Sequence, residues 1–598
     1  MTATVFRLPA TVILLLTGGG GCASRASSTH ESGKATGTPT PAVTPAATTS
    51  PRLLVTIVVD QLAAWIAAQR WPMLPADGGF ARLRREGLYV RELRYDYAVT
   101  DTAPGHSALY TGAVPRVTGI IGNDVIRAED GESVSILADV ASRLVVTGAG
   151  APSTKSASSL AALAVETVAD VLATHDRQAA IFSFSLKDRG ALFAAGRRPT
   201  LALWFDAAEE TFVTSTAFGA AIPDWVTPVA GRDAVRAARA PPWTLLDPGW
   251  VAAHALTGDA QAGEGDYAGL GTTFPHPIPS AKAMRATPVG DELLFALARA
   301  AVAHAAAAPH ATLLALSLSS NDYVGHMYGP DSWEAWDELL RLDRRLAELL
   351  AFLDGAVGAG GYAVLLSADH GVGALPELEG RAREAACRRA LPSTAGRAAA
   401  PAACGPGQRI PQSEIIAALE SAGRRELGAA PDERFVAGIA DPLVFLTARA
   451  RALGAADRAR LVRAGGAALR ERFGIAGVVD IRAATTPCAP APDQSLPALV
   501  CRSLRPDGPA DLYLVVGPQA FFDARYTPGH GVNHGTPYLY DRAVPLLVRA
   551  PGRVAPGTVR DAPVTFTAFT HTAASLLGLP PPGAAGAGED LAAAPPSP

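Results

Sequence analysis

Five short apolar runs punctuate the chain: LLVTIVVD (53–60), QAAIFSFSL (178–186), ATLLALSLS (311–319), YAVLLSAD (362–369) and AVPLLVRA (543–550). Nearly continuous apolar runs of this length suit strands covered on both faces by helices, and hence a parallel sheet. The intervening sequence supplies such helices. DELLFALARAAVAHAA (291–306) is one. SWEAWDELLRLDRRLAELLAFL (332–353) is another, with Leu339, Leu342, Leu346, Leu349 and Leu353 three and four residues apart on one core-facing stripe. The alternation predicts a three-layer α/β/α sandwich around a mostly parallel sheet. Two stretches break the pattern. About 190–285 mixes Trp, Pro and Gly without a period, and about 375–510 is rich in Ala, Arg and Pro. Both are expected to be insertions above the sheet.

Composition adds most at the ends. Arg7 precedes the apolar PATVILLL, too short for a membrane span, and TGGGGCAS comes next, so residues 1–22 read as an export signal. Cys22 stands where a bacterial lipoprotein is cleaved and acylated, although the glycines before it are a loose version of that pattern. The expected location is therefore exported, either periplasmic or lipid-anchored to the cell envelope through Cys22, with no other membrane contact. Residues 23–51, rich in Ser, Thr, Pro and Ala, read as a flexible tether, and 586–598 as a disordered tail. That leaves 52–585 as the folded domain with its insertions. Cys387, Cys404, Cys488 and Cys501 could form two disulfides, most simply as the local pairs 387–404 and 488–501, although three pairings are open. A net charge of −4 gives no sign of a nucleic-acid partner, and Lys occurs only at 34, 155, 187 and 282.

The candidate chemistry lies where the apolar runs end. Asp60, Asp369 and His370 close two of them, and Asp322 and His326 follow a third in SLSSNDYVGHMYGPDSWE. His534 lies in PGHGVNHGTPYLYD. A lone Asp after a strand is usually a cap and a lone His usually structural. The joint occurrence of DxxxH, DH and a further His, all referred to one sheet edge where ligands bind, favours a metal site. Asp and His donors suit Zn²⁺, while Mn²⁺ or Fe could use them too. In VTDTAPGHSALYTG, Pro104 suits the first turn of a helix and Gly112 its end. Thr102 at that helix start is a cap in the plain reading. In the sharper one it is a nucleophile facing backbone N–H groups that suit a phosphate. Asp101 is expected to tune or cap the helix, and His106 to be structural or to back a ligand.

These residues reach a resemblance. VVDQ, TDTAPGHSALYTGAVPRVTGIIGND, SLKDRGALFAAGRRPTLALWFD, NDYVGHMYGPDSWE, SADHG and HGTPYLYD, in this order over about 52–580, resemble the alkaline phosphatase superfamily. More narrowly they resemble its secreted phosphatases with a threonine nucleophile, which are related to the nucleotide pyrophosphatase/phosphodiesterases. The resemblance implies two Zn²⁺, one held by Asp322, His326 and His534 and the other by Asp60, Asp369 and His370. Thr102 would be the nucleophile between them, forming a phospho-threonine, and Asn123 would donate to a phosphoryl oxygen. Lys187 and Arg189, two apart at a strand end, would leave on one face in extended geometry. Two cations there would neutralise two phosphoryl oxygens and favour small phosphate monoesters over diesters. The rival readings are a diester hydrolase on the same metals, a phosphonate or sulfate ester hydrolase, and a catalytically inactive cell-surface binding protein on this scaffold.

Overall fold

The five apolar runs become five strands: β1 (Leu53–Val59), β2 (Ala180–Ser185), β3 (Thr312–Leu318), β4 (Tyr362–Ser367) and β5 (Ala543–Arg549). In this computed structural model, residues 51–305, 310–378, 407–483, 487–488, 493–523 and 529–593 are described. Residues 1–50, with the expected export signal, Cys22 and all but the last residue of the expected tether, lie outside them, as do Cys387 and Cys404. β1 sits between β3 and β4 and is parallel to both, with Leu53 level with Thr312 and Tyr362. β2 lies on the other side of β3, also parallel. The inner strands are buried at every position because helices cover both faces. The run that forms β5 reads the same way, yet β5 is antiparallel to β4. Burial on both faces sets the composition and carries no information about direction.

Among the helices, α1 (Thr102–Thr111), α2 (Asp188–Ala195), α3 (Pro288–Ala305), α4 (Ser320–Tyr328) and α5 (Trp333–Val357) matter most here. Ser332 caps α5 by accepting from Ala335 N at 3.1 Å. Leu339, Leu342, Leu346, Leu349 and Leu353 are all buried in the main core, as their spacing predicts. Each such side chain contributes roughly 1.5–3 kcal/mol on burial.

The first irregular stretch is not wholly an insertion. Leu201–Asp206 pairs in parallel with β2, and Thr211–Ser215 lies antiparallel to it in the same sheet, which has twelve strands among the described residues. Short helices, such as Arg232–Ala238 and Pro248–His254, interrupt the remainder up to α3. The second stretch is an insertion with a core of its own. Val436–Ala440, Leu443–Leu446, Leu512–Val515 and Gly477–Asp480 form an antiparallel sheet, backed by helices Gln412–Leu427 and Ala455–Phe473. Its last strand, Ala520–Asp523, pairs with Gln408–Pro411, so the subdomain runs past the expected boundary at 510.

Cys488 and Cys501 form a disulfide across 13 residues, the local pair expected. Cys501 lies in helix Leu496–Ser503, whose end reaches back to the chain before α1. Ser503 Oγ accepts from Ala98 N (2.7 Å) and Val99 N (3.3 Å), and Arg502 Nε donates to Asp96 O. The chain end is also more ordered than its composition suggests. Leu591 N donates to Thr572 Oγ1, Arg553 Nε to Ala592 O, and Ala592 is fully buried. Residues 586–593 are thus tied to the domain by hydrogen bonds, although expected as part of a disordered tail; 594–598 lie outside the described residues.

The loop before α3 crosses the C-terminal end of α4, with Gly265 N donating to Met327 O and His530 Nδ1 to Glu264 O. Burial, and then the charge of Glu334, pushes the Glu264 carboxyl up to about 9. A carboxyl raised in the folded state contributes full stability below its unfolded value, near 4.5, and that stability is lost as pH rises toward 9. Glu264→Gln imitates the protonated form. Its thermal midpoint is expected to fall less than that of the natural chain between about pH 6 and pH 9; equal falls would show that Glu264 ionises at no cost.

Candidate metal and nucleophile site

The carboxyl ends of β1, β2, β3 and β4 converge on one edge of the sheet. Asp60 follows β1 directly, Lys187 follows β2 as the residue preceding α2, Asp322 lies in the first turn of α4 after β3, and Asp369 and His370 follow β4. His534 arrives from the segment ahead of β5. All six are almost wholly buried. Asp322 falls in the first turn of α4 because Asp291 of α3 accepts from Ser319 N and Ser320 N and caps the helix start. His326, one turn on, therefore shares its face, with Nε2 3.2 Å from Asp322 Oδ1.

The donor atoms form two groups compact enough for a metal ion, Asp322/His326/His534 and Asp60/Asp322/His370. The first is the expected trio. In the second, Asp322 is shared, and Asp369 stands slightly apart with Oδ2 3.5 Å from His370 Nε2.

The chemistry of the donors asks for cations. His326 and His534 each donate Nδ1–H to a backbone carbonyl, of Val532 and Thr100, both at 2.8 Å. That leaves two Nε2 lone pairs facing each other at 3.2 Å, an arrangement that repels unless a cation or a proton lies between. His370 likewise gives Nδ1–H to Gly371 O. Its Nε2, Asp60 Oδ1 and Asp369 Oδ2 are buried without a hydrogen bond.

The charge balance agrees. Burial, reinforced by Asp322 and Asp369, raises the Asp60 carboxyl. Burial also opposes ionisation of Asp322, but His326 and Lys187 outweigh it and hold that carboxyl well below its usual range. Burial would lower the His370 imidazole, yet Asp369 and Asp60 push it up to about 10. The residues fit divalent metal.

The chain supplies a cation of its own. Lys187 Nζ lies 2.5 Å from Asp60 Oδ2, 2.5 Å from Asp322 Oδ2 and 3.4 Å from Thr102 Oγ1, bridging the two carboxylates beside the hydroxyl. Thr102 is the first residue of α1, and Asp101 is the cap, accepting from Thr102 N at 3.0 Å. Asp101 also accepts from Asn123 N and Nδ2, while Asn123 Oδ1 accepts from Ala103 N. Asp101 and Asn123 therefore brace the helix start together.

The strand geometry expected for Lys187 and Arg189 does not hold. The strand ends at Ser185, and Arg189 lies in the first turn of α2, 3.7 Å from the Asp188 carboxylate and near enough to Lys187 for the two charges to repel. The loop and helix start, rather than strand alternation, bring them to the same edge.

Two contributors are missed by motif reading. Gln61, at a left-handed φ of 69°, donates Nε2 to Asp322 Oδ1 (2.9 Å) and N to Asp369 Oδ1 (3.2 Å). A non-glycine residue in that conformation leaves no trace in composition. Gly105 admits α1 to the edge, since a Cβ there would collide with the Asp369 carbonyl. His106, as expected, supports rather than ligates. It bridges Thr102 O and Ser317 Oγ, with Nδ1 3.2 Å from Asp369 Oδ2.

Residues 54–382 match the family described as Type I phosphodiesterase / nucleotide pyrophosphatase, and the chain belongs to that family. Among curated proteins it is 34% identical over 346 residues to alkaline phosphatase PhoV of Synechococcus elongatus, covering 56% of this chain and 62% of that one. It is 34% identical over 337 residues to alkaline phosphatase PafA of Elizabethkingia meningoseptica, covering 54% and 60%. The matches thus span 62% and 60% of the length of these two relatives. A crystal structure of wild-type alkaline phosphatase PafA superposes with a TM-score of 0.75 at 26% identity, over 91% of this chain and 99% of that one. The architecture is that of the alkaline phosphatase superfamily.

Because Lys187 holds two of the carboxylates a metal needs, Lys187→Ala is expected to tighten divalent metal binding by about tenfold, the effect of removing one buried like charge. Competition with a chelating indicator measures it, and weaker binding in the variant would contradict the assignment.

Proposed function

We propose that this chain is an exported, zinc-dependent phosphate monoesterase that works through a phospho-threonine at Thr102. The observation that carries the reading is the position of Thr102 Oγ1, at the N-terminus of a helix and 3.4 Å from a buried ammonium that touches the carboxylates of both donor groups. Asp322, His326 and His534 would hold one ion, and Asp60, Asp369 and His370 the other with Asp322 between them. Bound there, Zn²⁺ would supply Lewis acidity to the oxygens that gain charge during phosphoryl transfer.

The chain's own residues do the rest. The positive end of the α1 dipole and the Lys187 charge lower the cost of a negative Thr102 oxygen. In-line attack on phosphorus breaks the ester bond and leaves the phosphoryl group on Thr102, and water then releases it as inorganic phosphate. Asn123 keeps one Nδ2–H beyond its bond to Asp101 for a phosphoryl oxygen. Lys187 and Arg189 offer the two charges that a monoester dianion can use and a diester cannot.

Support comes from the phosphatase relatives, and from a solved PafA variant altered at a threonine, an asparagine, a lysine and an arginine, the same four residue types. For export, the support is the segment 1–22 and the Cys488–Cys501 disulfide, which suits an oxidising compartment. The same reading leaves Cys22 as the point of lipid attachment. A second reading, diester hydrolysis, is favoured by the family's own description.

Hydrolysis of p-nitrophenyl phosphate against bis-p-nitrophenyl phosphate separates the two. A strong monoester preference, lost on chelation and restored by zinc, is the expected result, and a diester preference would move the assignment to the second reading. Thr102→Ala is expected to lower turnover by at least about a thousandfold while still binding metal. Activity near that of the natural chain would remove Thr102 from the mechanism.

A further inference from the structure

Lys187 carries its charge at the end of a flexible four-carbon stem, so the place of the ammonium depends on what holds it. The backbone is set by Lys187 N, which donates to Ser185 Oγ at 3.1 Å. At the other end Nζ meets Asp60, Asp322 and the hydroxyl of Thr102. Both carboxylates belong to the donor groups, so a metal ion and the ammonium compete for them. The Thr102 oxygen is the proposed nucleophile and bonds to phosphorus during turnover. These three contacts cannot keep the charge in one place through the reaction.

A fourth contact lies outside that competition. Lys187 Nζ sits over the ring of Tyr323, 5.2 Å from its centroid. The π face attracts an ammonium through the ring quadrupole, and more strongly where water is excluded. Tyr323 is 6% exposed and Lys187 4%. Metal ions suited to this site take oxygen and nitrogen donors, which leaves the ring to the ammonium.

The helix explains how the ring comes to be there. Tyr323 follows Asp322 in α4, so its side chain leaves the helix about 100° further round than that ligand. It flanks the donors without joining them. The ring is itself held in place. Tyr267, from the loop before α3, packs with its centroid 5.9 Å away, and Arg285 Cζ lies 5.1 Å from the Tyr323 centroid. Arg285 Nη2 donates to Tyr267 Oη at 2.8 Å and ties these two neighbours together.

Resting on the monoesterase reading, we propose that Tyr323 is a positioning residue for Lys187. Its ring seats the ammonium beside Thr102 Oγ1 independently of the metal donors, and so sets how strongly the site prefers a phosphoryl group with two charges over one with a single charge. Without the ring the ammonium is drawn back to Asp60 and Asp322, where it opposes the metal and gives less to the substrate.

Two readouts on the metal-loaded chain test this. One is kcat/KM for p-nitrophenyl phosphate relative to bis-p-nitrophenyl phosphate, and the other is the Kd of inorganic phosphate by calorimetry. Tyr323→Leu is expected to lower the ratio about fivefold and to weaken phosphate by a similar factor, the size of one desolvated contact of this kind. Tyr323→Phe keeps a ring and should restore most of both. In a Lys187→Ala background, Tyr323→Leu is expected to move neither by more than about twofold, because the group it acts through is gone. If the leucine variant does not fold, trifluorophenylalanine at position 323 keeps the shape and weakens the ring quadrupole; compared with Tyr323→Phe it should reproduce the loss. An unchanged ratio and Kd when the ring is removed or fluorinated, or equal losses with and without Lys187, would overturn the inference and leave the monoesterase reading standing. A natural chain that prefers the diester would overturn that reading and this inference with it.

Discussion

Concentrated negative charge in a dry place is the constraint around which this molecule is arranged. Asp60, Asp322 and Asp369 are buried together at one edge of a sheet, with imidazole lone pairs from His326, His370 and His534 turned toward them. Such a cluster is unfavourable by itself, because desolvation and mutual repulsion oppose ionisation. Lys187 offsets part of that, and the remaining unpaired atoms define where positive charge is missing. The fold supplies what the cluster needs. Parallel strands end at one level, and the loops and helix starts there carry the charged residues.

Much of this is legible in the sequence, for identifiable reasons. Strands covered on both faces must be continuously apolar, so β1 to β5 stand out, and with them the acidic and histidine residues just beyond their ends. The α5 stripe is legible because its leucines repeat with the helical period. Direction in the sheet is not, since an antiparallel strand buried on both faces has the same composition as a parallel one, as β5 demonstrates. Strands Leu201–Asp206 and Thr211–Ser215 are lost among the Trp, Pro and Gly residues of their neighbourhood. The strap at 586–593 resembles a tail in composition because it is held chiefly through its backbone groups.

Within the site, motif spacing names the donor residues but not the geometry that joins them. Asp322 can serve both donor groups because α4 is capped by Asp291, whose bond to Ser320 N spans 29 positions and is announced by no local pattern. Asp101 reads in sequence as a residue that tunes or caps the helix, and it also holds Asn123 with two bonds and so sets where that amide points. Lys187 and Arg189 stand out for their charge, and that charge lies at the expected edge. Strand alternation does not put it there; a loop and the first turn of α2 do.

The helix that carries Cys501 has a reach beyond its own loop. Its last residues hold the backbone at Asp96, Ala98 and Val99, just ahead of Asp101. Cross-linking residues 488 and 501 restricts the alternatives open to that helix in the unlinked chain. The covalent state of two distant sulfurs is therefore written into the approach path of α1. A closed link between these two sulfurs and a well-placed start of α1 thus belong together, through covalent and hydrogen bonds alone.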